Sequence, residues 1–283
     1  FKNEEFNSSN VNLFERQVES DSSRVQKGEI TLTDLAQSES SLAGAKADLI
    51  TADTELLTTK TNFERIIRLS APDQVDENIN FTVNLPNDLS NALKIAGDQN
   101  PELLIAKLNY EISKKELNIE KAQFSPSASI NYSKSEIDDF SATVDQVDQE
   151  SVKATVTWPI IKGGKNFSSV KKSKLKREQT NLILQDTINQ VKTNTANAWS
   201  TYQSAQSVLK ATESQVKAAE IANEGITLEY DSGNTRTTLE VIQSTSLLLD
   251  ARIANAKAER DFLVSQFRLL AVLGNLSLES IKK

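Results

Sequence analysis

NFSSVKKSKLKREQTNLILQDTINQVKTNTANAWSTYQSAQSVLKATESQVKAAEIANEGITLEY (residues 166–230) contains no Pro and a single Gly, Gly225. A seam runs through it in alternating steps of four and three: Leu184, Ile188, Val191, Thr195, Ala198, Tyr202, Ala205, Leu209, Thr212, Val216, Ala219, Asn223, Ile226 and Tyr230. That is the heptad spacing of helices packed lengthwise, here with small or polar residues at several seam positions. At 1.5 Å per residue, about 64 residues span roughly 96 Å, longer than a compact domain of this size can hold. The stretch predicts long paired helices.

Downstream, SGNTRTTLEV turns the chain. Thr237 with Glu240 three residues later makes a Thr-x-x-acid capping box, and a return helix is expected to about Val272, ended by Gly274. The same grammar occurs earlier. Residues 1 to about 26 are polar and helix-permissive. Gly28 suits a helix C′ position, and Thr31 with Asp34 makes another capping box, opening a helix to about Arg68. A shift of 206 places Asp34 on Glu240, Gln37 on Gln243, Ser38 on Ser244, Ser40 on Ser246, Leu42 on Leu248, Ala45 on Ala251 and Lys46 on Arg252. The turn glycines match only with one extra residue, placed at Asn234. A period near 200 is too long for a solenoid; it reads as a duplicated unit of helix, turn, helix, small mixed region and strand pair.

Between the two hairpins the pattern changes. SAPDQVDEN is a loop. Ile79, Phe81, Val83 and Leu85 alternate as a short strand ended by Pro86. Asp88 starts a short helix to about Gly97, and Asn100-Pro101 caps a helix to about Gln123. Two segments then alternate with period two. Ala128, Ile130 and Tyr132 face away from Ser127, Ser129, Asn131 and Ser133; Val152, Ala154, Val156, Trp158 and Ile160 face away from Ser151, Lys153, Thr155 and Thr157. Each has the ~9–11 residues of a tilted membrane-spanning strand. Glu136, Asp138, Asp139, Asp145, Asp148 and Glu150 read as an acidic loop between them. From Ser151 to Arg177 no acid occurs, and Lys162, Lys165, Lys171, Lys172, Lys174, Lys176 and Arg177 follow the second strand.

Composition narrows the chemistry. The 283 residues include 32 basic and 39 acidic side chains, a net charge of −7, 8 Gly and 5 Pro, and no Cys, His or Met. Without His or Cys the common general base, the thiolate nucleophile and the usual zinc and copper ligands are missing. No phosphate-cradling Gly loop and no convergent carboxylate or Ser/Lys set supports an enzyme, and no cofactor is implied. The acidic balance argues against nucleic acid as the main partner. No run of 18 apolar residues exists. The opening FKNEEFNSSN has neither Met nor signal peptide, and the expectation is that an N-terminal portion precedes it.

YDSGNTRTTLEVIQSTSLLLDARIANAKAERDFLVSQFRLLAVLGNL, its weaker partner RVQKGEITLTDLAQSESSLAGAKADLI, and TWPIIKGGK together resemble the TolC family of outer membrane efflux channels. The resemblance covers almost the whole chain. It implies a mainly α fold with a small β part: long antiparallel coiled-coil helices forming a periplasmic α-barrel, plus strands of a trimeric transmembrane β-barrel. It implies a homotrimer in the outer membrane of a Gram-negative bacterium with a large periplasmic part, surrounded by outer membrane lipid. The channel would be a passive exit duct for small molecules or type I protein secretion, opened at its tip by a periplasmic adaptor and an inner-membrane pump. This chain would be roughly the C-terminal two-thirds of a protomer.

The corresponding domains are a first-repeat hairpin over 1–70 with its tip turn near 27–34, an equatorial linker over 71–100, and a helix leading to the barrel over 101–123. Two transmembrane strands follow over 124–161 with an extracellular loop at 136–150, then a second hairpin over 162–274 with its tip near 230–240, and a tail over 275–283. In the family, a Tyr and an Arg of the second turn link to a Thr-Asp pair of the first and hold the tip closed. Tyr230 and Arg236 match the former, Thr33 and Asp34 the latter; an Arg–carboxylate bond can be bidentate and oriented. The same four are equally readable as exposed turn residues. Glu240 matches an aspartate that rings the pore constriction, where three carboxylates would favour cations, or else is only a helix cap. Gln243 stands where some members carry a second acid, leaving one weaker ring. Tyr132 and Trp158 suit the aromatic girdle at the membrane edge, or the core of a soluble sheet. The lysine cluster before Arg177 suits anionic headgroups, the upper tunnel, or a solvated helix face. A different class, a periplasmic coiled-coil adaptor without a pore, normally carries one hairpin; two hairpins and paired ten-residue strands argue against it.

Overall fold

The computed structural model describes residues 1–74, 82–141, 144–232, 236–277 and 281–282. In chain order these form α1 (Lys2–Gln26), α2 (Leu32–Ile67), β1 (Thr82–Val83), α3 (Leu89–Gln99), α4 (Pro101–Ala122), β2 (Ser127–Ser141), β3 (Val144–Thr157), α5 (Lys165–Asp231), α6 (Thr238–Leu273) and β4 (Ile281–Lys282). The chain divides into two compact units, one from residues 1–92 with 195–283, the other from 93–194. Among the described residues, no helix is long and apolar enough to cross a membrane. Ile79, Phe81 and Asn234 lie outside the described residues.

In the first unit α1 packs on α2, and both meet α6. Val11, Phe14, Ala45 and Ile242 form a buried cluster with Leu42 and Leu49 against it. Small residues at seven-residue spacing are buried on both helices: Ser38, Ala45 and Ala52 on α2, and Ser244, Ala251, Ala258 and Ser265 on α6. Adding 206 to each of the α2 positions gives its α6 counterpart. The same shift carries the ends of α2 onto the ends of α6, and both helices are 36 residues long. The duplication seen in the sequence is therefore a duplication of helix length, cap and packing face.

Every position of the expected seam in α5 is buried or half-buried, and Val191, Thr195, Ala198, Ala219 and Tyr230 are buried outright. Two of its polar members, Thr212 and Asn223, are bonded to α6. The Thr212 hydroxyl donates to Asn255 Oδ1 at 3.0 Å, and Asn223 Oδ1 accepts from Ser244 at 2.8 Å and Thr245 at 3.2 Å. Tyr202 stacks on Phe262 at 5.9 Å. Polar groups in a helical seam cost stability unless paired, and fix register when they are. At its far end α6 buries Leu269, Leu270 and Leu273 completely, worth about 1.5–3 kcal/mol each, and stops at Gly274 with φ +79°. The α2 helix stops instead at Arg68, with φ 64°. That left-handed residue is not a Gly, so the composition gave no sign of it. Thr82–Val83 pairs antiparallel with Ile281–Lys282, so the expected tail contributes a strand.

In the second unit Asn100 caps α4, accepting from the Leu103 N–H at 3.1 Å, with Pro101 at the first helical position. The β2–β3 hairpin pairs Ala128 with Val156, Ile130 with Ala154 and Tyr132 with Val152 on one face. Ser127 with Thr157, Ser129 with Thr155, Asn131 with Lys153 and Ser133 with Ser151 line the other. The two expected strands form with the expected faces. The acidic stretch 136–150 corrects the expectation of a loop. The ladder continues into it from both ends, pairing Glu136 with Asp148 and Ile137 with Val147. Two acids directly opposite weaken a ladder by no more than about 1 kcal/mol, so a long antiparallel ladder extends past them while its N–H and C=O groups stay in register. Strand entry and exit are tied together: Trp158 Nε1 donates to the Phe124 carbonyl at 3.2 Å, Asn166 Nδ2 to the Gln123 carbonyl at 3.2 Å, and Phe124 meets Phe167 edge-on at 5.1 Å. Gly163 and Gly164, both with positive φ, turn the chain into α5.

Candidate functional site: the paired helix turns

The first turn closes α1 with two backbone bonds, Gly28 N–H to the Val25 carbonyl and Glu29 N–H to the Arg24 carbonyl, each 2.9 Å. Gly28 adopts φ +73°, a conformation that costs Gly nothing and an L side chain about 1 kcal/mol or more. Then α2 begins. The Asp34 N–H donates to Thr31 Oγ1 at 3.2 Å; Asp34 Oδ2 accepts from the Thr31 N–H at 2.9 Å and its hydroxyl at 2.7 Å. The Thr31 hydroxyl and N–H hold the Asp34 carboxyl below its usual pKa.

The second turn repeats that box and adds an arginine. The Glu240 N–H donates to Thr237 Oγ1 at 3.3 Å, and Glu240 Oε2 accepts from the Thr237 N–H at 2.8 Å. Arg236 donates through Nη1 to Glu240 Oε1 at 2.8 Å and through Nε to Glu229 Oε2 at 2.6 Å. It thus clamps the last turn of α5 to the first turn of α6. Glu240 is held below the usual carboxylate value, first by the Thr237 N–H and then by Arg236. The two carboxylates raise Arg236, Glu229 more than Glu240.

Beneath the turns lies a cluster that sequence reasoning missed. Asp21 is fully buried, as is Ser38; Thr238 and Tyr230 are 3% and 4% exposed. Asp21 Oδ1 accepts from Gln17 Nε2 at 3.0 Å and from the Tyr230 hydroxyl at 2.8 Å, and Oδ2 accepts from Ser38 at 2.5 Å. A phenol has one proton, and here it goes to the carboxylate; the Thr238 hydroxyl, 3.0 Å away, therefore donates to Tyr230. Arg24 lies 4.5 Å over the Tyr230 ring. Burial pushes the Tyr230 hydroxyl above its usual pKa. A signal existed: Asn7, Phe14 and Asp21 recur every seven residues on α1 and all are buried, so Asp21 stands on a packing face.

The structure distributes the expected latch residues differently from the expected pairing. Tyr230 meets Asp21 rather than Asp34, Arg236 meets Glu229 and Glu240, Asp34 closes the Thr31 box, and Thr33 is exposed. Local geometry accounts for it: two carboxylates flank Arg236 within one helical turn or two of sequence, and Asp34 Oδ2 is already occupied. Gln243 is exposed one turn beyond Glu240. Tyr132 and Trp158 are 63% and 64% exposed on the hairpin. Lys171, Lys172, Lys174 and Lys176 are exposed, and Lys176 reaches Gln179 at 3.3 Å. Among the described residues no group of acids could hold a metal ion.

Residues 92–275 match the outer membrane efflux protein family. The chain belongs to that family. It is 26% identical over 276 residues to the outer membrane efflux protein BepC of Brucella suis, covering 96% of this chain and 59% of BepC. It is 22% identical over 275 residues to the outer membrane protein TolC of Escherichia coli, covering 93% of this chain and 56% of TolC. The chain thus spans little more than half of these relatives. The crystal structure of the outer membrane protein VceC from Vibrio cholerae superposes with a TM-score of 0.73 at 20% identity, covering 96% of this chain and 66% of VceC. The fold is that of these TolC-family channels, with long helices of an α-barrel and strands of a β-barrel. Membership places the protein in the outer membrane of a Gram-negative bacterium, with a large periplasmic part. The family is one of transport channels rather than enzymes.

Proposed function

We propose that the protein is a protomer of a homotrimeric channel-tunnel, a passive exit duct that a periplasmic adaptor and an inner-membrane pump open at its periplasmic tip. Small molecules or type I secretion substrates would cross it by diffusion, with energy supplied by the partners. The observation that carries this reading is the β2–β3 hairpin: Ile130, Tyr132, Val152, Val156 and Trp158 stand 63–76% exposed, and over the same stretch the opposite face, Ser127 to Ser133 against Ser151 to Thr157, is polar. Apolar strand faces of this size are not left in water; lipid on one side and an aqueous lumen on the other suit both. Tyr132 and Trp158 take the girdle positions, and 124–161 is the membrane segment. The hairpins over 1–70 and 162–274 are the tunnel wall, with residues 71–100 as the equatorial linker.

On this reading both helix turns lie at the tip, and Glu240 with Gln243 marks the constriction. Three copies of Glu240 favour cations, although each shares its charge with an Arg236. The test is single-channel conductance of the full-length protein in a planar bilayer, with and without Glu240→Ala. Small, stable, cation-selective steps are expected, losing selectivity or growing in the variant. Steps that ignore the substitution would reduce Glu240 to a helix cap. A soluble protein that never conducts would sink the duct and favour a pore-less adaptor.

A further inference from the structure

The base of the β2–β3 hairpin, where α4 leads in and α5 leads out, carries an apolar collar. Trp158 is bonded to the Phe124 carbonyl and Phe124 meets the Phe167 ring, so three aromatic residues gather at one level. Ile160 and Ile161 follow in the turn, and with Phe167 they are 73–90% exposed. The collar continues the apolar face of β3. Val152, Ala154, Val156, Trp158 and Ile160 succeed one another at period two, past the end of the ladder at Thr157. Phe124, Ile160, Ile161 and Phe167 line a recess of about 120 Å³, and Lys162 lines it with them. Lys165, also exposed, opens α5 three residues later. Among the described residues neither lysine is ion-paired: the pairs of this unit join Lys114 to Glu111, Lys134 to Glu150 and Arg177 to Glu178. No acid occurs from Ser151 to Arg177, and Glu120 near the end of α4 is bonded to Gln123 at 2.9 Å.

We propose that this collar seats an anionic glycerophospholipid of the periplasmic leaflet, its acyl chains against Ile160, Ile161 and Phe167 and its phosphate on Lys162 and Lys165. The assignment rests on the duct reading above, which makes the base of the hairpin the periplasmic edge of the barrel, and deepens it. Continuity with the lipid-facing strand face fixes the apolar part of the partner, because an apolar patch of this exposure is not left in water. Charge fixes the rest. A lysine near an anionic surface favours it by about fivefold in affinity, and its methylene stem lies along apolar surface while the ammonium reaches the headgroup. A zwitterionic headgroup brings its own cation and gains little from either lysine. Lys171, Lys172, Lys174 and Lys176 lie about 9–17 Å farther along α5 than Lys165. That is beyond a Debye length of about 8 Å, so they add less than the pair at the collar.

Trp158 stands in the collar and reports on it. The full-length protein is reconstituted in phosphatidylcholine vesicles with a minority of phosphatidylglycerol, brominated in the acyl chains of one lipid or of the other. Quenching at Trp158 is taken as the difference between the wild type and Trp158→Phe, and trimer migration with circular dichroism establishes that each variant is folded. Brominated phosphatidylglycerol is expected to quench as if enriched about fivefold or more over its mole fraction, the weight of one lysine or two, and less so at high salt. Lys162→Gln with Lys165→Gln should return quenching to the mole fraction, whereas Lys171→Gln with Lys174→Gln should keep most of the enrichment. Quenching that follows the mole fraction in the wild type, or an enrichment that the Lys162 and Lys165 substitutions leave in place, overturns the assignment. A protein that conducts in a planar bilayer while neither lipid quenches Trp158 has its collar covered by protein; the assignment falls and the duct stands. Neither conductance nor quenching overturns both together.

Discussion

The turn before α2 and the turn before α6 begin helices of equal length with the same reciprocal box, Thr31 with Asp34 and Thr237 with Glu240, and with small residues in the same heptad frame behind them. What differs is what the acid and its neighbours do besides capping. Asp34 answers only to Thr31. Glu240 also answers to Arg236, which reaches back to Glu229, and one residue before the end of α5 Tyr230 dives inward to Asp21. Capping and helix packing are properties of a helix start and survive duplication unchanged. Cross-linking is a property of one place in the assembly, so it diverged between the copies. The second turn carries bonds within and between hairpins; the first supplies a frame.

The largest break in that comparison should come from the two aspartates. Asp21→Ala leaves the Tyr230 hydroxyl, the Ser38 hydroxyl and the Gln17 amide without their acceptor in a buried site. A loss of about 3 kcal/mol is expected, at the upper end for orphaned buried donors, read by thermal or urea unfolding of the detergent-solubilised protein. Asp34→Ala, half-buried and cap-bound, should cost a small fraction of that. Equal losses would mean the two sites are not different in kind. Tyr230→Phe comes next, at about 1–1.5 kcal/mol, because Asp21 keeps two donors. The caps should then be indistinguishable: Thr31→Ala and Thr237→Ala each cost about 1 kcal/mol, and a cap that is much dearer in the second turn would show that Thr237 supports the Arg236 clamp as well as its helix.

The helical frame was legible because it is written in local rules. The seam from Leu184 to Tyr230, the two Thr-x-x-acid boxes and the glycines at 28 and 274 each act within a few residues, and all five sit where those rules put them. The strand faces were legible for the same reason. The acidic stretch 136–150 was misread because charge suggests solvent, and an edge of a hairpin can lie in solvent while fully paired. The Asp21 cluster was harder. Its members lie 17, 209 and 217 residues from Asp21's own position or one step further round the cluster, and only packing brings them together. The heptad position of Asp21 told that it faces a helix, but a polar residue on a packing face has many partners to choose from, and the sequence ranks none of them. The same holds for Arg236, where sequence proximity to Glu229 and Glu240 outweighed a more distant match to Asp34.

The smallest expected effect separates the two boxes by pH and salt. Both acids have folded-state pKa values below the usual carboxylate range. A depressed carboxylate stabilises the fold fully above its unfolded value, near pH 4 to 4.5, and the contribution disappears as the pH falls through the lower folded value. Both boxes should therefore weaken on acidification below about pH 4, not on alkalinisation. They differ in cause. For Asp34 the Thr31 hydroxyl and N–H supply the stabilisation; for Glu240 the Thr237 N–H comes first and Arg236 adds to it. Hydrogen bonds inside a box are short-ranged and little affected by salt, whereas an exposed ion pair is screened. In Arg236→Ala the acid loss traced to Glu240 should shrink and lose its salt dependence, followed as the shift of melting temperature between pH 6 and pH 3 at low and high salt. If the shift is unchanged by the substitution, the arginine stabilises nothing at this turn, and the two turns differ only in what lies buried beneath them.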